Sequence, residues 1–398
     1  MTKRALVVGL GITGIATAVR LRQIGWEPVI VERAPQRRSG GYFIMLFGTG
    51  AAAARRLGAL DAIGTRSGPE AVAFAVDRDG NRAPAMLPSA LPGEPRMLLR
   101  GDVEQGLFSV LPSDVEIRYS TVPVHIRQDD AAAHVTLLDT ASGGTRTERF
   151  DLVVGADGMR STVRTLAFGD QYLHPLNFMI GATVLDRPLT GFGLSEGLWL
   201  AEPGRSAIAF SFTNHAPSVL FTYRTDDPDA QFERAPIDNI RAAFGPGPAG
   251  PVLEELFERY EQAPDALFDS VQQVRMPQWH RGRVVLAGDA AWCLTLYSGM
   301  GASTGMAGAD LLGTMLERHA DDIGTALKAW EERLRPYIQD QQTSALTDRL
   351  LFIAKDEQEF AIRTQMMRMQ ADPAFAAEMA NSPAAAGFAA KNLDIAAL

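Results

Sequence analysis

The chain has 398 residues, enough for two or three structural layers around a large core rather than one small domain. Hydrophobic residues make up 46% and charged residues 21%, as in ordinary folded soluble proteins, and the formal net charge of −9 argues against a nucleic-acid groove. The single cysteine, Cys293, excludes an intrachain disulfide and a cysteine-rich metal site, and no apolar run reaches the ~18 residues that span a bilayer. We therefore expect a cytoplasmic protein with no metal and no membrane span.

The first predicted elements are a strand, a glycine turn and a helix within "VVGLGITGIATAVRL", residues 7–21. A basic start followed by an apolar run also describes a signal peptide, but Gly9, Gly11 and Gly14 would each cost such a helix about 1 kcal/mol. As a nucleotide-binding turn the same glycines have separate uses: a tight turn, close approach to a pyrophosphate, and helix packing. From Thr13 the pattern is helical, so a phosphate would face the positive end of that helix.

A second strand, "EPVIVER", ends in Glu32. This carboxylate follows the glycines at roughly the 20-residue spacing at which an acidic side chain binds an adenosine ribose. The densest basic cluster, "RAPQRR" at residues 33–38, is either a solvated turn or part of a docking patch for a phosphate-bearing nucleotide.

Two further junctions are candidates for ligand contact. "RMLLRGDVEQGLFSVL" predicts a strand that runs into a helix, with Arg100 at the junction; either Arg100 and Asp102 meet a ligand, or Asp102 caps the helix and Arg100 is merely exposed. "FDLVVGADG" predicts a buried parallel strand that breaks at Gly155, before Asp157, Gly158 and another helix.

Residues 175–225 change to the alternating pattern of an antiparallel sheet. The residues predicted to share a face within their own strands are Ile208, Phe210 and Phe212 in "SAIAFSFTN", and Val219, Phe221 and Tyr223 in "SVLFTYR". We expect one aromatic face; most such faces pack a core, and some roof an apolar pocket.

The last motif, "RGRVVLAGDAAWCLTLYSGMGASTGMAGADLLGTMLERH", predicts a buried strand that ends at Gly288 and Asp289, then a helix interrupted by glycines. Glycines weaken an isolated helix, so their presence predicts that another element packs close to its backbone. The remaining chain has helical periodicity.

The pieces "GLGITG…VER", "DLVVGADGMRSTVR" and "VVLAGDAAWCLTLYSGMGAS" occur in the order and at the distances found in single-component, aromatic-hydroxylase-like FAD monooxygenases, which the chain resembles from residue 5 to about residue 320. The resemblance implies the para-hydroxybenzoate hydroxylase fold, an α/β architecture. We expect a Rossmann-like FAD-binding domain (1–70, 96–172 and 275–320) and an inserted, mostly antiparallel substrate domain (71–95 and 173–274). A C-terminal helical segment (321–398) completes the predicted chain.

The resemblance also implies residue roles. FAD would be bound by Gly9, Gly11, Thr13 and Gly14 at the pyrophosphate, Glu32 at the adenosine ribose, Arg33 beside the adenine, Arg100 at the phosphates and ribityl chain, Gly288 and Asp289 at the ribityl hydroxyls, and Gly299, Met300, Gly301 and Ala302 along the isoalloxazine ring. Asp157 would serve both FAD and the transient NAD(P)H. The residues expected to bind substrate are Phe210, Phe212, Phe221, Tyr223 and Leu296. No catalytic side chain is assigned.

In this family NAD(P)H reduces the flavin, O2 forms a flavin C4a-hydroperoxide, and one oxygen atom passes to the substrate. We therefore predict a monooxygenase acting on an apolar, aromatic or polycyclic small molecule. One departure qualifies this: the family commonly carries prolines between "GDAA" and "SGMG", where this chain has Trp292 to Tyr297.

Two alternatives stay open. One is a redox-silent FAD-binding enzyme of the same fold that catalyses cyclisation or rearrangement in secondary metabolism. The other is a pyridine-nucleotide protein without flavin, which would explain the first motif alone. A flavin halogenase is disfavoured because the WxWxIP pattern is absent.

Overall fold

The computed structural model describes residues 2–37, 40–85, 93–370 and 383–397. The strands are β1 (Arg4–Val8), β2 (Glu27–Val31), β3 (Phe43–Leu46), β4 (Val72–Val76), β5 (Arg82–Ala85), β6 (Arg96–Leu99), β7 (Glu116–Arg118), β8 (Thr121–Gln128), β9 (Ala133–Asp139), β10 (Thr145–Phe150), β11 (Leu152–Gly155), β12 (Leu173–Val184), β13 (Glu196–Glu202), β14 (Arg205–Phe210), β15 (Ser218–Arg224), β16 (Leu267–Val274), β17 (His280–Arg281) and β18 (Val284–Leu286).

The helices are α1 (Ile12–Gln23), α2 (Gly48–Arg56), α3 (Leu60–Ile63), α4 (Arg100–Ser109), α5 (Thr162–Ala167), α6 (Pro236–Ala243), α7 (Pro251–Gln262), α8 (Asp289–Trp292), α9 (Gly301–Arg318), α10 (Ile323–Phe352), α11 (Glu357–Gln370) and α12 (Pro383–Ala390). Short 3-10 helices cover Ala230–Phe232 and Leu296–Ser298. Within the described ranges, no helix combines the length and the apolar character that crossing a membrane requires. Helices and sheets are mixed along the chain, which confirms the predicted α/β class.

A six-stranded sheet in the order β17-β18-β11-β1-β2-β7 forms the first layer. Strands β1, β2, β11 and β18 are parallel to one another, and β11 and β18 are buried along their whole length. Burial on both faces is what a parallel sheet covered by helices requires. Because parallel strands point the same way, the turns that follow β1, β11 and β18 meet at one edge of this sheet.

Helix α9 packs against α1 at very short range, which confirms the predicted close approach to the glycine-rich helix. A Cβ added at Gly305 would lie 2.4 Å from Thr13 Oγ1, and one added at Gly313 would lie 2.3 Å from Arg20 Cγ. Buried Asp310 of α9 forms salt bridges with Arg20 of α1 and Arg56 of α2. Both helices are therefore linked to α9. The glycines therefore set how closely the two helices approach.

A seven-stranded sheet in the order β16-β12-β15-β14-β13-β4-β5 forms the second layer. Its strands lie within residues 71–95 and 173–274, the ranges predicted for the substrate domain; the division into domains remains a prediction. A three-stranded sheet (β10-β9-β8) and the pair β3-β6 complete the described strands.

The prediction of a single aromatic face on this sheet is wrong. Register pairs Ile208 with Leu220 and Ala207 with Phe221, so the β15 aromatics lie on the face opposite Phe210. Phe221 packs against helices α6 and α7, with ring centroids 6.2 Å from Phe244 and 5.6 Å from Phe257. Tyr223 belongs to the same cluster. Alternation fixes which residues of one strand share a face, but only register fixes which faces of neighbouring strands coincide.

Candidate functional site

A cavity of about 340 Å³ is lined by both large sheets. The turns of the six-stranded sheet and the loop before α9 contribute Gly11, Ile12, Thr13, Ala156, Gly158, Met159, Asp289, Cys293, Thr295, Leu296, Gly299, Gly301 and Ala302. Tyr42 and Arg100, which lie near Asp289, belong to the same side of the cavity. The seven-stranded sheet and its neighbours contribute Phe43, Ile44, Met45, Ile180, Ala182, Phe210, Ser218, Val219, Leu220, Leu267, Asp269, Ser270, Val271, Gln272 and Phe352. The first set consists mainly of turns and contains the charged groups Arg100 and Asp289; we call it the charged wall. The second set is largely apolar, and we call it the apolar wall.

The first turn is held in place by glycines that admit no side chain. Gly9 has φ +106°, and a Cβ there would lie 2.5 Å from the carbonyl oxygen of Ala156 in the second turn. A Cβ at Gly14 would lie 1.9 Å from the carbonyl oxygen of Gly9. Gly11 is the N-cap of α1 and lines the cavity beside Arg100. The first amides of α1, which have no partner within the helix, thus begin at the cavity and favour an anion.

Glu32 fixes this turn to the end of β2. Its Oε2 accepts the Leu10 N–H at 2.9 Å, and its Oε1 accepts the Ala34 N–H at 2.9 Å. Arg33 is exposed, and Arg38 of the basic cluster lies outside the described residues. Neither Glu32 nor Arg33 lines the cavity, so their contacts with an adenosine remain predictions.

The junction of β6 and α4 separates two side chains whose roles the sequence left open. Asp102 Oδ2 accepts the Leu99 N–H at 2.9 Å, and its carboxylate also binds Arg66, so Asp102 caps the helix. Arg100 lines the cavity and pairs with Glu104 at 2.8 Å. The pair leaves the Arg100 side chain accessible from the cavity, because 36% of that side chain is exposed.

Asp289 begins α8 and extends into the cavity. Asp289 is exposed, and it lines the cavity. Desolvation within the cavity raises the pKa of the Asp289 carboxyl, while nearby Arg100 lowers it. Tyr42 lies near the same two groups, and burial raises the pKa of its phenol against the effect of Arg100. A cation, a carboxylate and a phenol therefore line one cavity wall.

Asp157 is directed away from the cavity, which its neighbours Ala156, Gly158 and Met159 line. The carboxylate accepts the Ser161 hydroxyl and, at 3.1 Å, the Val163 N–H at the start of α5. Burial raises the pKa of Asp157. In this structure the carboxylate shapes the second turn, and its predicted contact with FAD and NAD(P)H stays a prediction.

Arg164 joins the second turn to the third. The guanidinium donates to the Met159 carbonyl at 2.6 Å and to the Ala290 carbonyl at 2.9 Å, and only 2% of the residue is exposed. Burial lowers its pKa. Because one carbonyl lies in the second turn and the other in α8, directly after the third turn, one side chain links the two segments along the cavity wall.

The third turn and the loop before α9 close the charged wall. Gly288 has φ +62°, and a Cβ there would lie 2.3 Å from Thr13 Oγ1. Gly299 has φ +65° and faces Met45, with 2.8 Å between an added Cβ and Cε. Met300 is buried behind the wall, while Gly301 and Ala302 line the cavity at the first turn of α9. A second helix N-terminus thus points at the same space as α1.

The stretch that departs from the family's prolines also lines the cavity, through Cys293, Thr295 and Leu296. Thr295 has φ +83°, a region that β-branched residues rarely occupy. Its Oγ1 accepts the Tyr297 N–H at 3.0 Å, and its carbonyl accepts the Ser298 hydroxyl at 2.9 Å. These bonds hold a strained backbone at a cavity wall.

The apolar wall contains residues that the sequence did not single out. Phe43 stacks on Phe210 with ring centroids 3.8 Å apart and an interplanar angle of 8°. Ser218 holds this arrangement, because its hydroxyl accepts the Phe43 N–H at 2.9 Å. Ile180, Leu220 and Phe352 also line this wall. Leu296 faces the cavity, whereas Phe212 contacts Phe43 from outside the cavity lining.

These features fit FAD. The N-terminus of α1 and Arg100 suit a pyrophosphate, and the first amides of α9 suit the negative charge of a reduced flavin. The Asp289 carboxylate offers an acceptor of the kind that ribityl hydroxyls need. The glycine turns leave the backbone open to close approach, and a Cβ at Gly11 would narrow the space beside Arg100.

Comparison with known proteins also indicates an FAD-binding protein. The sequence profile described as "FAD binding domain" matches residues 2–340. A flavin-dependent monooxygenase from an unidentified prokaryote is 26% identical over 368 residues, which cover 90% of this chain and 92% of the relative. The crystal structure of tetracycline destructase Tet(55) superposes with a TM-score of 0.77 at 25% identity, covering 92% and 95% of the two chains.

Klebsiella pneumoniae HpxO, solved with FAD and uric acid, shares the fold with a TM-score of 0.74 at 19% identity over 92% of each chain. Together, the profile match, the monooxygenase relatives and the shared fold confirm the resemblance read from the three motifs. The chain belongs to the family of FAD-dependent monooxygenases, oxidoreductases with the para-hydroxybenzoate hydroxylase fold.

Proposed function

We propose that this monooxygenase uses NAD(P)H and O2 to oxygenate an apolar, aromatic or polycyclic small molecule. The observation that carries the proposal is one cavity with two chemically different walls, one suited to FAD and one to an apolar ring. Bound FAD would supply the redox chemistry, taking electrons from NAD(P)H and passing one atom of O2 to the substrate.

The chain's own residues would orient and enclose the reactants. On the charged wall, Gly11 and Thr13 at the start of α1 would hold the pyrophosphate with Arg100, and Asp289 would accept from the ribityl hydroxyls. The loop from Gly299 to Ala302 would lie along the flavin ring. Gly9, Gly14 and Gly288 would act by keeping these turns compact, since their added Cβ atoms would meet neighbouring protein atoms.

The apolar wall favours a substrate without a negative charge. Among the described residues that line the cavity, Arg100 is the cation, and its guanidinium lies beside Gly11 and Glu104 rather than against the stacked Phe43–Phe210 pair. Buried carboxylates need a cationic or hydrogen-bonding partner. The polar residues of this wall are the uncharged Ser218, Ser270 and Gln272, and Asp269, whose carboxylate is paired with Arg160 and would repel an anionic substrate. Tet(55) is named for tetracycline, a polycyclic substrate, and the proposal places this chain's substrate in a similar class.

The first experiment measures O2 uptake and NAD(P)H consumption by the FAD-loaded protein with a panel of ring compounds. Ligand-stimulated consumption, with isotopically labelled oxygen from O2 appearing in the product, is the expected result. Ligand turnover without NAD(P)H or O2 would overturn the proposal and favour the redox-silent alternative. The redox-silent alternative is tested because the Cys293–Leu296 stretch, which lines the cavity, lacks the prolines that the family commonly carries there.

A matched pair of ligands tests the charge preference. A naphthol should perturb the absorption of the bound flavin at about tenfold lower concentration than the same naphthol bearing a carboxylate. Equal or tighter binding of the carboxylate would contradict the charge preference and leave the monooxygenase assignment in place.

A further inference from the structure

Lys391 is a buried cation that follows α12, far in sequence from the cavity turns. Only 3% of its side chain is exposed. Its ammonium donates to the Ser298 carbonyl at 2.7 Å and to Asp348 Oδ2 of α10 at 2.7 Å, and it lies 5.3 Å from the Phe47 ring centroid. Burial raises the pKa of Asp348, and the ammonium opposes that rise.

The carbonyl that Lys391 binds immediately precedes the loop at the charged wall. Ser298 and Gly299 share one peptide group, whose N–H donates to the Leu296 carbonyl at 3.0 Å. Lys391 therefore holds the carbonyl end of this peptide while Leu296 holds its N–H end. A hydrogen bond at one end of a peptide polarises and strengthens the bond at the other. The orientation of the Ser298–Gly299 peptide plane is thus fixed at both ends, and the loop through Met300 and Gly301 starts from this plane.

The neighbouring Ser298 side chain reinforces the same loop. Its hydroxyl donates to the Thr295 carbonyl at 2.9 Å and accepts the Met300 N–H at 3.0 Å. The hydroxyl and the carbonyl of Ser298 are therefore both hydrogen-bonded, and Lys391 is the charged partner among the groups that bind them.

Attachment of the C-terminal segment does not by itself explain a buried ammonium. Arg56 binds both oxygens of Asp394 at 2.6 and 2.7 Å, and Arg333 donates to the Ala397 carbonyl at 2.9 Å. Because burying an ion pair costs desolvation, apolar side chains in place of both Lys391 and Asp348 would pack here at equal or lower cost. The ammonium is the group that reaches the Ser298 carbonyl, which an apolar side chain does not bind.

We propose that Lys391 is a positioning residue: by holding the Ser298 carbonyl it sets the Gly299–Ala302 loop against the flavin ring. This inference rests on the proposed placement of FAD in the cavity. It implies that a contact close to the end of the described chain determines how the flavin environment is arranged.

The test compares Lys391→Met with Arg333→Ala in the full-length protein. Both variants remove side-chain contacts that hold the same C-terminal segment, but of the two residues only Lys391 contacts Ser298. After reconstitution with FAD, Lys391→Met should weaken FAD binding about tenfold and raise the fluorescence of the bound flavin. Arg333→Ala should match the wild type in both measurements, and Lys391→Arg, which keeps a cation, should recover at least part of both.

A Lys391→Met protein with wild-type FAD affinity and flavin fluorescence would overturn the inference. If circular dichroism shows that Lys391→Met does not fold, Asp348→Asn is measured instead. This variant keeps Lys391 and weakens only the contact with Asp348 that orients its ammonium. A smaller change in the same two readouts supports the inference, and no change overturns it. Neither readout requires turnover, whereas a wild-type protein that does not take up FAD would overturn the proposed function itself.

Discussion

The two walls of the cavity differ in the part of the chain that faces the ligand: backbone in one wall and side chains in the other. The charged wall consists of turns in which the backbone itself meets the ligand space, and Gly9, Gly14 and Gly288 keep those turns compact. The apolar wall consists of side chains, such as Phe210 and Leu220, on one face of a sheet. A change in the first wall moves the backbone, whereas a change in the second alters side-chain packing and the shape of the cavity but leaves the backbone in place. The first wall should therefore tolerate far less substitution than the second.

The largest expected effect is that of Gly14→Ala. A Cβ 1.9 Å from the Gly9 carbonyl oxygen forces the first turn to open, so FAD binding should be abolished. The measurement is FAD titration of the apoprotein. Gly387→Ala is the matched control, because a Cβ there meets nothing within 4 Å, and it should change the free energy of unfolding by less than about 1 kcal/mol. Normal FAD binding by Gly14→Ala would mean that the turn is more compliant than described.

The next prediction separates the two faces of the seven-stranded sheet. Phe221→Ala removes a ring packed between α6 and α7 and should lower the free energy of unfolding by roughly 3–5 kcal/mol, with ligand affinity unchanged. Phe210→Ala removes the ring that stacks on Phe43 and should weaken binding of an apolar ligand as well as stability. Denaturant unfolding and ligand titration of both variants decide the matter. If Phe221→Ala impaired ligand binding and Phe210→Ala did not, the assignment of faces would be reversed.

The smallest expected effect is that of Asp289→Asn, which sharpens the comparison within the charged wall. Its raised pKa means that the folded apoprotein binds the proton more tightly than the unfolded chain. Wild-type stability should therefore fall as pH rises from the ordinary aspartate pKa through the raised one, and the Asn variant should lack this fall. At neutral pH the apo variant should be slightly more stable yet bind FAD less well. Thermal melts across pH, with and without FAD, measure both; equal stability of the two proteins at every pH would contradict the stated role of desolvation.

Much of the charged wall was predictable because its information is local. The glycines near Gly11, the junction at Arg100 and the strand end before Asp289 each occur within a few residues, and parallel strands bring their ends to one sheet edge. The sequence did not reveal that Asp157 would be directed to α5, because its bonds to the Ser161 hydroxyl and the Val163 N–H depend on the exact conformation of the turn.

The apolar wall was harder to predict because it depends on contacts between distant strands. Phe43 lies on β3, which pairs with β6 rather than with either large sheet, and nothing in its own strand indicates that it stacks on Phe210. Lys391 shows the same limit: its partners Ser298 and Asp348 are distant in sequence, and no periodic pattern relates them.

The order of strands in the six-stranded sheet has a consequence for biosynthesis. Strand β1 leaves the ribosome first, but its neighbour β11 lies about 150 residues later and β18, which pairs with β11, later still. Thr13 of the first turn finds its contacts with Gly288 and Gly305 only after most of the polypeptide has been made. The three turns at this sheet edge are thus complete only in the last third of translation, and a nascent chain halted before that point would lack β18 and α9, leaving the first turn without its contacts at Gly288 and Gly305.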